Sequence, residues 1–143
     1  FTTNLIMAQR LVRKICPFCK KEYKLTAENI ADLEKMLDTK KMIELFKKHD
    51  CLKAGDAALK SWTFYRGEGC QKCNREGYKG RLGIYETLEV NKDIAELINR
   101  KASVEELRQG AIKNGFTSML QDGMIKAKLG LTSLEEILEA TRE

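Results

Sequence analysis

Apolar residues recur at steps of three and four through the middle of the chain, a spacing that predicts short amphipathic helices. Thr26 can cap a helix that starts at Ala27, and a second helical set runs to about Lys48. Gly55 is a predicted breaker, with room for one more turn near residues 57–59. The apolar positions of the two sets are Ile30, Leu33, Met36, Leu37, Met42, Ile43, Leu45 and Phe46. The region of about 26–60 is therefore predicted to be a helical insertion.

The last third of the chain, residues 89–143, is rich in helix start and stop signals. Each predicted start has a side chain that can accept a hydrogen bond from a free backbone N–H, and two starts have a glutamate placed for a capping box. The start signals are Asn91, Ser103 with Glu106, Ser118, and Thr132 with Glu135. We predict three short helices, which must bury their apolar faces against one another as a bundle because such helices are unstable alone.

The segments that predict strands are shorter than those that predict helices. Residues 62–66 alternate apolar and polar positions, and Leu82–Leu88 is rich in β-forming residues, so these two segments are predicted to pair as a short hairpin. Residues 5–8 predict a short strand or turn, which enters a helix through Leu11, Val12 and Ile15 and ends at Pro17. The predicted fold class is α+β, mainly α.

Composition narrows the class of protein. With 43% hydrophobic and 33% charged residues, the 143-residue chain is typical of a globular domain, which argues against overall disorder. No segment approaches the roughly 20 apolar residues of a membrane span, and the start of the chain lacks a signal-peptide pattern. A first residue of Phe1 indicates a piece of a longer protein. The pairing of the cysteines is typical of a reducing compartment, so we expect the cytoplasm.

Four of the five cysteines form two Cys-x-x-Cys pairs, Cys16 with Cys19 and Cys70 with Cys73. Each pair can supply two thiolates from one tight turn, so the four predict a tetrahedral zinc site. Four unliganded core cysteines and a redox-active pair are the alternatives, although neither pair opens a helix in a βαβ unit as a thioredoxin-like motif does. His49 and Cys51 are a weaker candidate for metal contact, since a lone histidine in a charged segment is typical of a solvated side chain.

The net charge of +5 is uneven along the chain. Residues 1–24 carry six basic side chains against one acidic, and residues 61–85 five against two, so the positive charge surrounds the cysteines. It can offset a zinc tetrathiolate of charge −2, or bind phosphate or acidic lipid. The basic residues are Arg10, Arg13, Lys14, Lys20, Lys72, Arg75, Lys79 and Arg81. Trp62, Tyr65, Tyr78 and Tyr85 lie in the same region and can form either a small core or a surface that stacks bases.

No motif for nucleotide hydrolysis is present in the sequence. It contains neither a phosphate-binding loop nor a dinucleotide-binding glycine turn, and no residue set resembles a nucleophile with its base. We therefore expect no catalytic residue in this chain.

Three stretches together resemble one family. They are AQRLVRKICPFC at 8–19, GCQKCNREGYKGRLGIYETLEV at 69–90, and a closing segment that contains GLTSLEE at 130–136. They resemble the C-terminal part of the type II secretion and type IV pilus assembly ATPases, and the likeness covers nearly all of the chain except roughly 27–61. The 50 residues between Cys19 and Cys70 (positions 20–69) are more than the family pattern leads us to expect.

The resemblance implies a structural Zn²⁺ held by Cys16, Cys19, Cys70 and Cys73. It also implies a parent with an upstream RecA-like domain that binds ATP and Mg²⁺, which this chain lacks. Residues 1–15 would end that domain, 16–88 would form the zinc-binding subdomain with its insertion, and 89–143 the helical subdomain. Arg10 and Arg13 would lie at the junction.

In the parent, the resemblance further implies neighbouring subunits of a homohexamer and an inner-membrane platform protein as partners, with a cytoplasmic location at the inner membrane. This fragment would be structural and would mediate interactions. We do not expect a nucleic-acid partner, but a stand-alone zinc-ribbon-like nucleic-acid-binding module remains the alternative, and a thiol-disulfide enzyme is a third reading.

Overall fold

The computed structural model describes residues 2–52 and 58–142; Phe1 and the predicted breaker at Gly55 lie outside the described residues. In chain order the described residues form strands β1 (Leu5–Ile15), β2 (Lys20–Lys24), β3 (Thr63–Gly67) and β4 (Tyr78–Glu89), and helices α1 (Ala27–Met36), α2 (Thr39–Lys48), α3 (Lys92–Asn99), α4 (Val104–Lys113), α5 (Met119–Lys128) and α6 (Leu134–Thr141). The predicted class, α+β and mainly α, is confirmed.

The strands form two antiparallel pairs, β1 with β4 and β2 with β3. The predicted hairpin between 62–66 and Leu82–Leu88 is wrong, because each of those segments pairs with a strand from the other end of the sequence. The physical reason is the position of the cysteines. One thiol turn joins β1 to β2 and the other joins β3 to β4, so when the turns face each other, the strand that enters one lies beside the strand that leaves the other.

The predicted helix between residues 11 and 17 is also wrong. Leu5–Ile15 is one continuous strand, in register with β4 from Leu5 opposite Glu89 to Arg13 opposite Arg81, followed by a bulge. Leu11, Val12 and Ile15 fit a helical spacing, but a partner strand of similar length supplies the backbone hydrogen bonds. Val12 and Ile15 are buried, whereas the rest of this strand is exposed.

The predicted helical insertion is confirmed in its two main helices. Thr26 caps α1 by accepting a hydrogen bond from the Asn29 N–H, and Asp38 caps α2. The buried side of α2 places Phe46 against Trp62, with ring centroids 4.8 Å apart and an interplanar angle of 67°, an edge-to-face contact. The insertion is therefore packed on the core beside β3, and α2 also contacts α5.

The last third holds four helices within the described residues, α3 to α6, and not the three predicted. Asn91, Ser103 and Ser118 act as caps as predicted. The helices do not form one bundle: α3 packs on α4, while α5 and α6 pack on each other and also on β4 and β1. The extra apolar faces are thus buried against the sheet.

The start of α6 differs from the prediction by one residue. Ser133 is the cap, and it accepts a hydrogen bond from the Glu136 N–H. Thr132, the predicted cap, is fully buried and donates its hydroxyl to the Arg13 carbonyl oxygen at 2.8 Å. The sequence pattern could not distinguish two adjacent hydroxyl residues because this contact is non-local.

One hydrophobic core joins the strands, the insertion and the last two helices. Its largest fully buried side chains come from these three parts and from Trp62: Trp62, Phe46, Phe64, Leu33, Met42, Ile84, Met124, Leu134 and Ile137. The predicted division at residues 15 and 88 stays a prediction. None of the described helices has the length and hydrophobicity needed to span a membrane.

The turn before α6 is hydrogen-bonded to the end of β1 that leads into Cys16. The Ile15 N–H donates to the Leu131 carbonyl at 3.0 Å, and Glu136 accepts hydrogen bonds from both the side chain and the backbone of Arg13, each at 2.9 Å. The guanidinium of Arg13 also lies 4.3 Å from the centre of the Tyr78 ring. The closing GLTSLEE segment is therefore a docking element for the strands.

We expect Glu136→Gln to lower the free energy of unfolding at pH 7 by about 1 kcal/mol, a modest value because the Arg13 side chain is 54% exposed and solvent screens the pair. Burial raises the pKa of Glu136, but the hydrogen bonds from Arg13 outweigh it and leave the pKa below its ordinary value. The stabilisation is thus complete above about pH 4.5 and is lost as the pH falls through the lowered pKa. Urea denaturation at pH 7 and pH 3 measures the change.

The matched control for this charge change is Glu44→Gln, at an exposed glutamate of α2 that is remote from Arg13 in sequence. It should alter stability by less than about 0.5 kcal/mol at either pH. An equal loss for Glu136→Gln at both pH values would show that the carboxylate charge is not the source of the stabilisation.

Candidate metal centre

Two tight turns bring the paired cysteines to one place. In the first turn the Cys16 N–H donates to the Gly77 carbonyl at 2.9 Å, which ties it directly to the second. The second turn is a short 3₁₀ helix, Gln71–Cys73, followed by left-handed backbone at Asn74 and Arg75. The Arg75 N–H closes it by donating to the Cys70 carbonyl at 2.8 Å.

All four Sγ atoms lie within 4.8 Å of one another. Three of the six separations are 3.9 Å from Cys16 to Cys70, 3.8 Å from Cys19 to Cys73, and 3.7 Å from Cys70 to Cys73. Sulfur atoms at the corners of a tetrahedron around an ion with bonds of about 2.3 Å are about 3.8 Å apart. The sulfur atoms therefore have the spacing of a tetrathiolate metal site, and none of the four is in a disulfide.

Backbone N–H groups point at one of these sulfur atoms. Cys73 Sγ accepts from the Cys70 N–H at 3.2 Å and from the Gly77 N–H at 3.3 Å. Burial alone raises the pKa of Cys73, but these two donors and the neighbouring thiols reverse the effect and lower the pKa to about 6. The turn thus favours the thiolate, which is the form that binds a metal.

Cys19 titrates in the opposite direction. Burial is the main cause that raises the pKa of Cys19; the Gly69 backbone N–H lowers it, the nearby thiols raise it, and the result is a pKa of about 12. Four thiolates so close together repel one another, so the protons leave fully only when a cation takes their place. Metal binding must therefore release protons and become tighter as pH rises.

The site is closed within the described residues. Cys16 and Cys73 are buried and Cys19 and Cys70 partly exposed, and the candidate ligand group contains these four cysteines and no other described histidine, cysteine or carboxylate. Four protein ligands around zinc leave no position for water or substrate.

His49 and Cys51 do not join the site. Cys51 is buried in the hydrophobic core, and its Sγ donates to the His49 carbonyl at 3.2 Å. Burial raises the pKa of this thiol, which favours the neutral form. The question that the sequence left open is thus answered for the described residues: the fifth cysteine is a core residue.

The aromatic residues near the cysteines do not form an open stacking surface. Trp62 is fully buried in the core, and the Tyr78 hydroxyl is 2.8 Å from the Ser133 Oγ. The Tyr85 ring lies beneath the Lys126 amine, 4.7 Å from it. These contacts favour the small-core reading of the aromatic residues over base stacking.

Sequence reasoning missed the role of Gly77. Its N–H bonds to Cys73 Sγ and its carbonyl to the Cys16 N–H, so it connects the two turns. It has φ of +79°, and a Cβ placed there would lie 2.6 Å from the Gly67 carbonyl oxygen. The sequence feature that could have indicated this role is the position of the glycine, four residues after Cys73.

The chain is similar in sequence to proteins of known families. A family model described as "Type II/IV secretion system protein" matches residues 2–139. The chain is 37% identical over 138 residues to the type II secretion system ATPase E of Vibrio cholerae, covering 96% of this chain and 23% of that protein. It is 38% identical over 138 residues to the type IV pilus assembly ATPase PilB of Myxococcus xanthus, covering 96% of this chain and 21% of that protein.

A third relative, the type IV pilus assembly ATPase PilB of Pseudomonas aeruginosa, is 34% identical over 144 residues, covering 99% of this chain and 22% of that protein. The chain therefore spans about a fifth of the length of these relatives.

Proposed function

Because the chain belongs to the family of type II/IV secretion system proteins, we propose that it is the zinc-binding C-terminal module of a secretion or pilus assembly ATPase. One observation carries the proposal: four thiols in two tight turns have the sulfur spacing of a zinc tetrathiolate. The zinc is structural in this proposal, and this chain contributes no catalytic residue.

The architecture supports a bracing role. Each thiol turn joins a strand of one sheet to a strand of the other, so an ion between the turns ties all four strands together at one point. The same end of the fold holds the turn before α6 through Arg13 and Ile15. Zinc would therefore fix the strands and the last helix as one unit that transmits force or contacts.

Native mass spectrometry of the purified chain should show one zinc ion per chain. The four thiolates predict this stoichiometry because zinc affinity in such sites is high, with apparent binding free energies of about 10–16 kcal/mol. The chain should not hydrolyse ATP. A metal-free chain with the same melting temperature as the loaded one would contradict the structural role, and ATP hydrolysis by the chain would contradict the non-catalytic one.

We also propose that residues 1–15 complete the ATPase domain of the longer protein. The support is the exposure of β1: Leu5, Ile6, Met7 and Leu11 are between 49% and 58% exposed, and among the described residues this strand pairs with β4 alone. An apolar strand with a free edge is normally covered. Amides of residues 5–8 should exchange hydrogen at least about tenfold more slowly in the longer protein than in this chain; equal rates would contradict the proposal.

For the longer protein we propose ATP and Mg²⁺ binding, a homohexameric ring, and a cytoplasmic position beside an inner-membrane platform protein. The support is that relatives named as secretion or pilus assembly ATPases share this part of their chain. Light scattering of the longer protein with ATP should give the mass of six subunits, and a monomer under those conditions would count against the ring.

A further inference from the structure

A basic cleft lies beside the zinc turns, between the first thiol turn and the turn that precedes α6. Its volume is about 400 Å³. Three lysines line it, Lys14 from β1, Lys20 from β2 and Lys79 from β4, together with the apolar side chains of Phe18 and Leu131. We call these five residues the lysine cleft.

The lysine cleft has no acidic side chain in its lining. Lys14 and Lys79 are exposed and make no hydrogen bond or ion pair with any residue in the described ranges, and Lys20 donates weakly to the Gly130 carbonyl at 3.4 Å. Several other lysines are neutralised by carboxylates: Lys21 by Glu68, Lys35 by Asp32, Lys41 by Asp38, and Lys126 by Asp122. The cleft therefore concentrates positive charge that no described carboxylate pairs with.

Apolar surface accompanies this charge. Phe18 is 60% exposed and Leu131 is 42% exposed, and the Lys72 amine lies 3.7 Å from the centre of the Phe18 ring. Exposed apolar side chains rimmed by charged ones are typical of an interaction site. A partner must therefore offer both negative charge and an apolar group.

The walls of the cleft are held in place. The Leu131 carbonyl accepts from the Ile15 N–H at 3.0 Å, and Gly130, with φ of +71°, packs so closely on the Tyr65 ring that a Cβ would lie 2.8 Å from it. A preformed site loses little conformational entropy on binding. The cleft is thus ready to receive a ligand without rearrangement.

We propose that the lysine cleft binds an acidic segment of a partner protein, with carboxylates on the three lysines and an aliphatic side chain on Phe18 and Leu131. The shape of the cleft favours a peptide over a bilayer. The three lysines line a concavity, which a peptide can enter, whereas binding to a flat lipid surface needs basic side chains that protrude from the protein. The inference rests on the proposed interaction-mediating function and names the surface and the partner chemistry.

The probe is a fluorescein-labelled decapeptide of alternating glutamate and leucine, titrated into the zinc-loaded chain and followed by fluorescence anisotropy. Lys14→Gln/Lys79→Gln should weaken binding about three- to tenfold, as expected for two exposed charge pairs. The matched control, Lys40→Gln/Lys47→Gln on α2, removes the same charge elsewhere and should change binding by less than about twofold. Phe18→Ser tests the apolar part and should also weaken binding.

Equal weakening by both double variants would overturn the proposal, because general charge would then explain binding. Vesicles of phosphatidylcholine with phosphatidylglycerol form a second arm. Cleft-dependent vesicle binding without peptide binding would assign the surface to lipid and overturn the proposal as well. Zinc content and melting temperature, measured on each variant, separate these outcomes from failure of the zinc module, since a normal zinc-loaded fold that ignores the peptide contradicts only the cleft.

Discussion

Replacing Cys16 with serine should lower the affinity for zinc by about two to three orders of magnitude. A serine hydroxyl is a poor zinc ligand, and one ligand of four accounts for about a quarter of an apparent 10–16 kcal/mol, or about 2.5–4 kcal/mol. Because Cys16 is fully buried at the meeting point of both turns, the loss should also lower the melting temperature towards that of the chelated wild-type chain. Competition with a chromogenic chelator and circular dichroism measure the two effects.

Cys51→Ser is the control for this change. Cys51 is also buried, but it lies outside the sulfur cluster, and a serine there can keep the hydrogen bond to the His49 carbonyl. It should retain one zinc and lose only about 1 kcal/mol of stability. If Cys16→Ser bound zinc as tightly as Cys51→Ser, the tetrathiolate assignment would be wrong.

Replacing Gly77 with alanine should lower zinc affinity by about 10–100-fold although no ligand is removed. The backbone there has φ of +79°, which costs an L-residue about 1–2 kcal/mol, and the new Cβ would meet the Gly67 carbonyl oxygen at 2.6 Å. The turn must shift, which moves the N–H that bonds to Cys73 Sγ, and loss of such outer contacts typically costs this much in metal affinity. The same chelator competition measures it.

Gly115→Ala is the control that separates the effect of backbone strain from the effect of the contacts that Gly77 makes beside the cysteines. Gly115 has φ of +82°, nearly the same as Gly77, but a Cβ there would meet no atom within 4 Å. This control should lose about 1–2 kcal/mol of stability and keep its zinc affinity. A similar fall in affinity for both variants would mean that the contact between Gly77 and Cys73 does not support the site.

The candidate metal ligands could be predicted from sequence because the signal is local and chemical. Two short spacings place Cys16 with Cys19 and Cys70 with Cys73, and the structure brings all four together. Helix caps such as Thr26 and Ser103 were equally accessible, since the capping side chain and its partner are three residues apart. Fold class followed from the same local patterns.

The strand pairing could not be read in this way. Helical spacing of Leu11, Val12 and Ile15 competes with strand propensity, and only a partner some 70 residues away in sequence, at Tyr78 and beyond, decides between them. Nearness in sequence suggested that 62–66 pairs with Leu82–Leu88. The two facing thiol turns instead place β1 beside β4 and β2 beside β3. The cap of the last helix was predicted at Thr132 but lies at Ser133 for the same reason: the Thr132 hydroxyl bonds to the Arg13 carbonyl, a contact distant in sequence.

The two facing thiol turns also bear on how far the segment between them can vary in length. The 50 residues from position 20 to 69 form a closed loop whose ends are held by the cysteines. Doubling the length of a flexible loop adds only about 0.6 kcal/mol of closure entropy, far below the about 10–16 kcal/mol that a tetrathiolate zinc contributes. Loop closure therefore sets almost no limit on the length of the insertion; what ties its sequence to the strands is the burial of Leu33, Met42 and Phe46 in the shared core.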